Sequence, residues 1–298
     1  MQPVTRRGWI LFLAMSVIWG CPYLLIRIAV RDVSPATLIF LRTAPATLVL
    51  LPVAVHRRAL GGLFPRWRWL LAFTAAELAV PWLFVGRAER HLTSSVTGVL
   101  IATVPLVGAV LYRALGLEHF SRRRIAGLLI GFAGVVALVG VDLRGTGLGP
   151  VAEVLVPAVG YAVGPLIIAR RLDDLAGIGV MTASLAIASV AYGPYALTHL
   201  PSSMSPEVVA AVAGLALVCT ALAFVLFFEL IVEVGPARST VITYVNPAVA
   251  ILLGVVVLGE PFTWGIAVGF PLILVGSWLA TARPPAARSP LAVEPPAA

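Results

Sequence analysis

Ten apolar runs succeed one another from Trp9 to Thr281. Each is about the ~20 residues that a helix needs to cross ~30 Å of hydrocarbon, and the polar connections between them are too short to hold a folded domain. This feature constrains the fold more than any motif does. Inside a bilayer the backbone must satisfy its own hydrogen bonds, which leaves helices or a closed barrel. The runs are continuous rather than alternating, which argues against the barrel. The spans read as Trp9–Ile28, Pro35–Val55, Trp67–Gly86, Thr93–Ala114, Arg122–Val141, Pro150–Ala169, Ala176–Thr198, Glu207–Leu230, Ala237–Leu258 and Phe262–Thr281. The expected fold is an all-α integral membrane protein with ten transmembrane helices. Only 11% of residues are charged, against about 25% in an average soluble domain.

The net charge of +8 invites a nucleic-acid reading, but the placement of the arginines explains it differently. All 21 basic residues are Arg. With a cytoplasmic N-terminus, fifteen fall in inside connections: Arg6, Arg7, Arg57, Arg58, Arg66, Arg68, Arg113, Arg122, Arg123, Arg124, Arg170, Arg171, Arg238, Arg283 and Arg288. Five fall outside (Arg27, Arg31, Arg87, Arg90 and Arg144), and Arg42 lies within a span. This bias follows the positive-inside rule and puts both termini in the cytoplasm of a multi-pass protein of the cell membrane. Arg6-Arg7 followed by an apolar run imitates a secretory signal. Bulky Trp19 stands where a cleavage site wants a small residue, so the first segment reads as a retained helix.

The chain also matches itself when shifted by 142 positions. Trp19 falls on Tyr161, Pro52 on Pro194, Pro105 on Pro247, Glu118 on Glu260, Gly127 on Gly269 and Gly134 on Gly276. The shift crosses five spans, an odd number, so the halves must face opposite ways in the bilayer. The expected organisation is two inverted five-helix repeats, residues 1–142 and 143–282, with a disordered Pro/Ala-rich cytoplasmic tail over 283–298. Transporters built this way carry substrate near the midplane, between the repeats.

Prolines interrupt several spans, and each removes a backbone hydrogen bond. Pro105 and Pro247 occupy equivalent places and read as gating kinks in the fourth and ninth helices. Gly127, Gly131 and Gly134, with Gly265, Gly269 and Gly276, form small-residue faces that let helices approach closely, within one chain or between two copies.

The segments Cys219–Phe224, Val234–Ser239, Thr243–Pro247 and Leu258–Pro261 resemble the second half of EamA-type drug/metabolite transporters. Trp19-Gly20, Arg42, Val104-Pro105 and Glu118 are the weaker first-half counterparts. The resemblance covers nearly all of residues 9–282. It implies ten helices in two inverted repeats, a central cavity, and export of small metabolites, amino acids among them, or drugs. Tyr161 in place of a second Trp, and Glu77 in the third helix, depart from that pattern.

Glu77 is the sharpest candidate for chemistry. It lies ~15 Å from either interface at ~1.5 Å per residue, where a carboxyl is costly and by default functional. It suits proton coupling or an amine-bearing substrate; the alternative is a carboxyl hydrogen-bonded between helices. Arg42 can snorkel, pair with Glu77, or hold a substrate carboxylate. Trp19, Tyr23, Trp82, Tyr161, Phe224 and Tyr244 offer aromatic walls that attract apolar groups and cations. Asn246, beside Pro247, can bond a freed carbonyl or the substrate, and Thr220 and Thr243 can act likewise. Glu118 and Glu260 each precede a helix and suit N-terminal capping. Cys21 and Cys219 read as small packing residues, and no metal-ligand spacing, Walker loop or Gly-x-Ser-x-Gly elbow occurs.

The expectation is a secondary active transporter, most simply an exporter working by alternating access. It would have no cofactor and no enzymatic site, with a small-molecule substrate, a coupling proton as a further partner, and no nucleic acid. An importer and a non-transport membrane helper are the alternatives, and the assembly is a monomer or a homodimer.

Overall fold

The computed structural model describes residues 5–117, 121–142, 148–239 and 241–281. Glu118 and the tail from 283 lie outside the described residues. The described chain is helical throughout. Among the described residues nine helices are long and apolar enough to span a bilayer: α1 (Arg6–Ala29), α2 (Pro35–His56), α3 (Phe64–Ala88), α4 (Ser94–Ala114), α5 (Arg122–Gly140), α6 (Gly149–Arg171), α7 (Gly177–Thr198), α8 (Pro206–Val234) and α10 (Trp264–Thr281). Between the last two lies the shorter apolar helix α9 (Ile242–Leu258).

Local chemistry sets the helix starts. The hydroxyls of Thr5, Ser34, Thr93 and Ser205 accept from the backbone N–H three residues on, capping α1, α2, α4 and α8. Pro35 and Pro206 follow two of these caps at the first helical position, where no N–H is needed. The ninth helix begins five residues later than its apolar run does. Gly235 turns the chain at φ 83° and Pro236–Ser239 winds a separate short turn, so the helix restarts at Ile242.

Four helices are irregular near their middles. α1 breaks at Trp19-Gly20, just before Pro22, and α4 breaks at Ala102-Thr103, just before Pro105. α3 and α8 widen instead into π-helical turns, at Ala75–Ala79 and Gly214–Leu222. In α3 the widening accommodates Pro81, which has no N–H to return to the preceding turn.

α5 lies along α10, α2 along α7 and α4 along α9, while α3 packs on α6 and α8 on α1. The glycine faces are consumed within the chain. A Cβ on Gly127 would meet the Gly276 carbonyl at 2.7 Å, and one on Gly134 would meet the Gly269 carbonyl at 2.8 Å. Large apolar side chains such as Leu48, Val190 and Val232 cover the outer surface, as a lipid-facing bundle requires. Five of the seven tryptophans, Trp9, Trp67, Trp69, Trp264 and Trp278, are exposed near helix ends, where an indole suits the bilayer interface. Trp19 and Trp82 are turned inward.

Candidate functional site: a buried arginine at half depth

The two π-helical turns bring the candidate side chains together. In α8 the Thr220 hydroxyl donates to the Leu215 carbonyl at 2.7 Å, satisfying an acceptor in the widened turn. The same oxygen accepts from Nε of Arg42 at 2.8 Å. The Arg42 guanidinium then lies flat over the Trp82 ring of α3, 3.6 Å from its centroid. Arg42 is only 7% exposed. Among the described residues no carboxylate forms an ion pair with it. Tyr23, Tyr161 and Cys219 lie within electrostatic reach of it. A cation in a low-dielectric site with a hydroxyl and a π-face as its neighbours retains donor capacity for an anion.

Glu77 sits in the π turn of α3 and faces α6. A Cβ on Gly164 would stand 2.0 Å from its Oε2, and a Cβ on Gly160 would stand 2.2 Å from the Ala76 carbonyl. The two missing side chains of α6 are therefore what admits the widened turn. Oε2 is buried without a hydrogen-bond partner, so the hydrogen-bonded structural carboxyl does not account for this atom. Glu77 and Arg42 do not pair with each other. The Tyr161 phenol lies within electrostatic reach of both and beside Trp82. A small crevice, with room for little more than a water molecule, opens on Arg42 and Trp82, walled by Ile26, Pro35, Leu38 and Ile39.

The other candidates lie farther from this centre. Trp19 stacks edge-on against Phe224 with centroids 6.0 Å apart, and against Phe227 at 4.6 Å. Phe224 and Trp82 both pack against the apolar cluster that holds Ala46, Leu78 and Leu185. Oriented to make hydrogen bonds, the Asn246 amide nitrogen donates to the carbonyls of Ser16 at 3.1 Å and Ile242 at 2.9 Å. The Gly20 N–H bonds Val17 where α1 breaks, leaving the Ser16 carbonyl to Asn246. Of its two sequence readings, Asn246 thus takes the freed carbonyl and ties α9 to α1. Tyr244 bonds Thr281 at 3.0 Å, at the end of the bundle where α1 begins and α10 ends. Pro105 lies in the first turn after the break in α4, whereas Pro247 lies within unbroken α9.

Ion pairs tie both ends of the bundle. At the end holding the start of α1, Arg7 pairs with Glu229 at 2.8 Å and Glu233 at 3.7 Å, and Arg57 reaches Glu229 at 3.4 Å. At the far end Arg31 meets Glu207 at 3.8 Å, and the Ser205 N–H bonds Asp32 at 3.0 Å. Glu260 caps a helix, but not the one it precedes. It accepts from the N–H groups of Ser94 and Ser95 at the start of α4, five helices earlier. Sequence reasoning missed Glu89, the first residue past α3, which is fully buried with both carboxyl oxygens unpartnered. Between Arg87 and Arg90 it reads as part of a solvated loop, and nothing local signals its burial.

The EamA-like transporter family model matches residues 6–140 and again 151–282. An uncharacterized inner membrane transporter YedA of Escherichia coli (strain K12) is 32% identical over 292 residues, covering 91% of this chain and 92% of that protein. An uncharacterized transporter of Archaeoglobus fulgidus is 22% identical, over 92% of this chain and 98% of its own length. A solved structure, described as the crystal structure of a protein, superposes with a TM-score of 0.64 at 21% identity, covering 92% of this chain and 96% of its own. At that identity the last likeness speaks for the fold alone.

Proposed function

Because the chain belongs to the EamA-like transporter family, we propose that it is a secondary transporter exporting small metabolites, such as amino acids or drug-like amphiphiles, by alternating access. The observation that carries the reading is Arg42, a buried guanidinium with no acidic partner among the described residues, held between Thr220 and Trp82. In this reading Arg42 receives a substrate carboxylate, and Glu77 receives an ammonium group or a coupling proton. Trp82, Tyr161 and the Trp19–Phe224 pair wall the apolar remainder. A substrate bearing both charges satisfies two groups that do not satisfy each other.

The division into inverted repeats, 1–142 and 143–282, has support beyond the sequence shift. Moved by 142 positions, the π turn at Ala75–Ala79 falls within the one at Gly214–Leu222. The helix pairings α2 with α7, α4 with α9 and α5 with α10 each join one run to its counterpart, and the family model matches twice. The arginine bias supports a cytoplasmic location for both termini. The Arg7–Arg57–Glu229–Glu233 cluster is then the inner closure and the Arg31–Glu207 contact part of the outer one. Rocking of one repeat against the other breaks each in turn, with Pro105 and Pro247 as flexing points.

Purified protein in proteoliposomes tests this. Vesicles loaded with a mixed pool of amino acids and hydrophobic amines are placed in a pH gradient and efflux is read by mass spectrometry. Wild type should release specific species, with Arg42→Ala losing those that bear a carboxylate and Glu77→Gln losing amine-bearing ones or the pH dependence. Equal release by all three proteins refutes the assigned site. No release by folded wild type refutes export of these classes.

A further inference from the structure

At the far end of the bundle two carboxyl groups lie within electrostatic reach of each other and are treated very differently. Glu260, on the turn after α9, has its charge well served: Oε1 accepts from the Ser94 N–H at 2.7 Å, and Oε2 from the Ser95 N–H at 3.0 Å and the Ser95 hydroxyl at 2.5 Å. It also sits at the N-terminus of α4, whose dipole favours an anion. A Cβ on Gly254 would meet Glu260 Oε2 and Ser95 Oγ at 2.3 Å each and Ser94 Oγ at 2.8 Å, so the cradle closes tightly around this carboxylate.

Glu89 receives none of this. It is 0% exposed, and neither of its oxygens has a hydrogen-bond partner. The Ser94 hydroxyl, at the Glu260 cradle, is also buried and unpartnered. Arg27 of α1 approaches, but its guanidinium donates to the backbone carbonyl of Glu89 rather than to the carboxyl group. The charged and titratable groups around Glu89 are Arg27 and Tyr23 from α1 and Glu260 from the α9–α10 turn, with Arg90 and His91 next along its own loop. Arg87, on the last turn of α3, is engaged with Glu153 of α6 at 2.8 Å. Burial pushes the Glu89 carboxyl well above the usual carboxylate range; Arg27 opposes the shift and Glu260 adds to it. Two carboxyls that share a low-dielectric site do not both ionise, and the one without donors takes the proton.

We propose that Glu89 is a proton-binding site of the far-end closure, occupied while α1, α4 and the α9–α10 turn are packed together and emptied when they part. A proton from the water at that end adds to the Glu89 carboxylate to give the neutral acid, and closing buries it near Glu260. Opening wets the group and returns the proton. Because the proton prefers the closed arrangement, alkaline conditions at this end favour opening. The site is distinct from Glu77. Its gating role rests on the transporter reading, whereas its proton occupancy does not.

The test uses full-length protein in proteoliposomes. Infrared difference spectra taken across a pH titration should show a protonated-carboxyl band that outlasts the ordinary carboxylate range, persists in Glu77→Gln and is lost when Glu89→Gln is added to that variant. Glu260→Gln, which leaves Glu89 in place but removes the neighbouring charge, should move the disappearance of the band to lower pH. In parallel, spin labels at the exposed positions His91 and Ser202 should move apart as pH rises in wild type and stay together in Glu89→Gln. A band that survives when Glu89→Gln is combined with Glu77→Gln, or a midpoint unmoved in Glu260→Gln, overturns the proton site. An intact band with a pH-independent label distance overturns its coupling to closure. Both readouts are independent of which substrate the protein carries, so they separate this site from the export reading.

Discussion

Placing a single methyl group on Gly276 tests the seam between α5 and α10. The Cβ of Gly276→Ala would lie 2.4 Å from the Gly131 nitrogen, 2.6 Å from the Gly127 oxygen and 2.6 Å from the Gly131 Cα, where 3.4–4 Å is ordinary contact. All three obstacles are backbone atoms of the opposing helix, so no rotamer change relieves them and the helices must separate by roughly 1 Å along the seam. Forcing a methyl into a packed interface costs about 1–3 kcal/mol. Alanine's better helix propensity returns at most ~1 kcal/mol. The expected net loss is about 1–2 kcal/mol, read as an earlier midpoint in reversible SDS or thermal unfolding of detergent-solubilised protein. Gly140→Ala on the same seam helix, where a Cβ meets nothing within 4 Å, is the control and should be neutral or stabilising. Equal stability of Gly276→Ala and wild type would show that the close approach is not what holds α5 to α10.

Replacing Glu260 by Ala strips the acceptors from the Ser94 and Ser95 N–H groups. It should cost about 1–3 kcal/mol and speed hydrogen exchange at the start of α4; unchanged exchange there contradicts the capping role. Thr220→Val removes the oxygen that receives Arg42 Nε and should raise KM for a carboxylate-bearing substrate several-fold. Thr220→Ser should restore it, and a Ser variant as impaired as Val would point to packing instead. Stability should also fall with rising pH on account of Glu89. Above the ordinary carboxylate range the unfolded chain has released this proton while the raised, buried group still holds it. The slope is up to about 1.4 kcal/mol per pH unit until the folded group itself titrates. Glu89→Gln should flatten that slope in thermal unfolding, and an unchanged slope assigns the dependence elsewhere.

Much of the fold was legible because a bilayer enforces local rules. Each span had to be a continuous apolar run, and the observed helices begin and end within a few residues of those runs, apart from the delayed start of α9. There the apolar pattern continues through Gly235-Pro236, and only the backbone geometry divides it. The site was legible in part. Glu77, Arg42, Thr220, Trp82 and Tyr161 were flagged because charges, prolines and aromatics stand out against an apolar background, but no spacing joined them. Asn246 and Tyr244 carried the same kind of signal, and their hydrogen bonds run to Ser16, Ile242 and Thr281.

By itself, then, the sequence determined that this chain is a multi-helix membrane protein, where its spans lie and which polar side chains they carry, because the cost of unsatisfied groups in hydrocarbon is read residue by residue. Tertiary structure alone decided that Arg42 finds Thr220 and Trp82 instead of a carboxylate, that Glu260 caps a helix begun 166 residues earlier, and that Glu89 is sealed without a donor. Those outcomes depend on which helices touch and how closely, and that is set by glycines and widened turns whose partners lie far away along the chain.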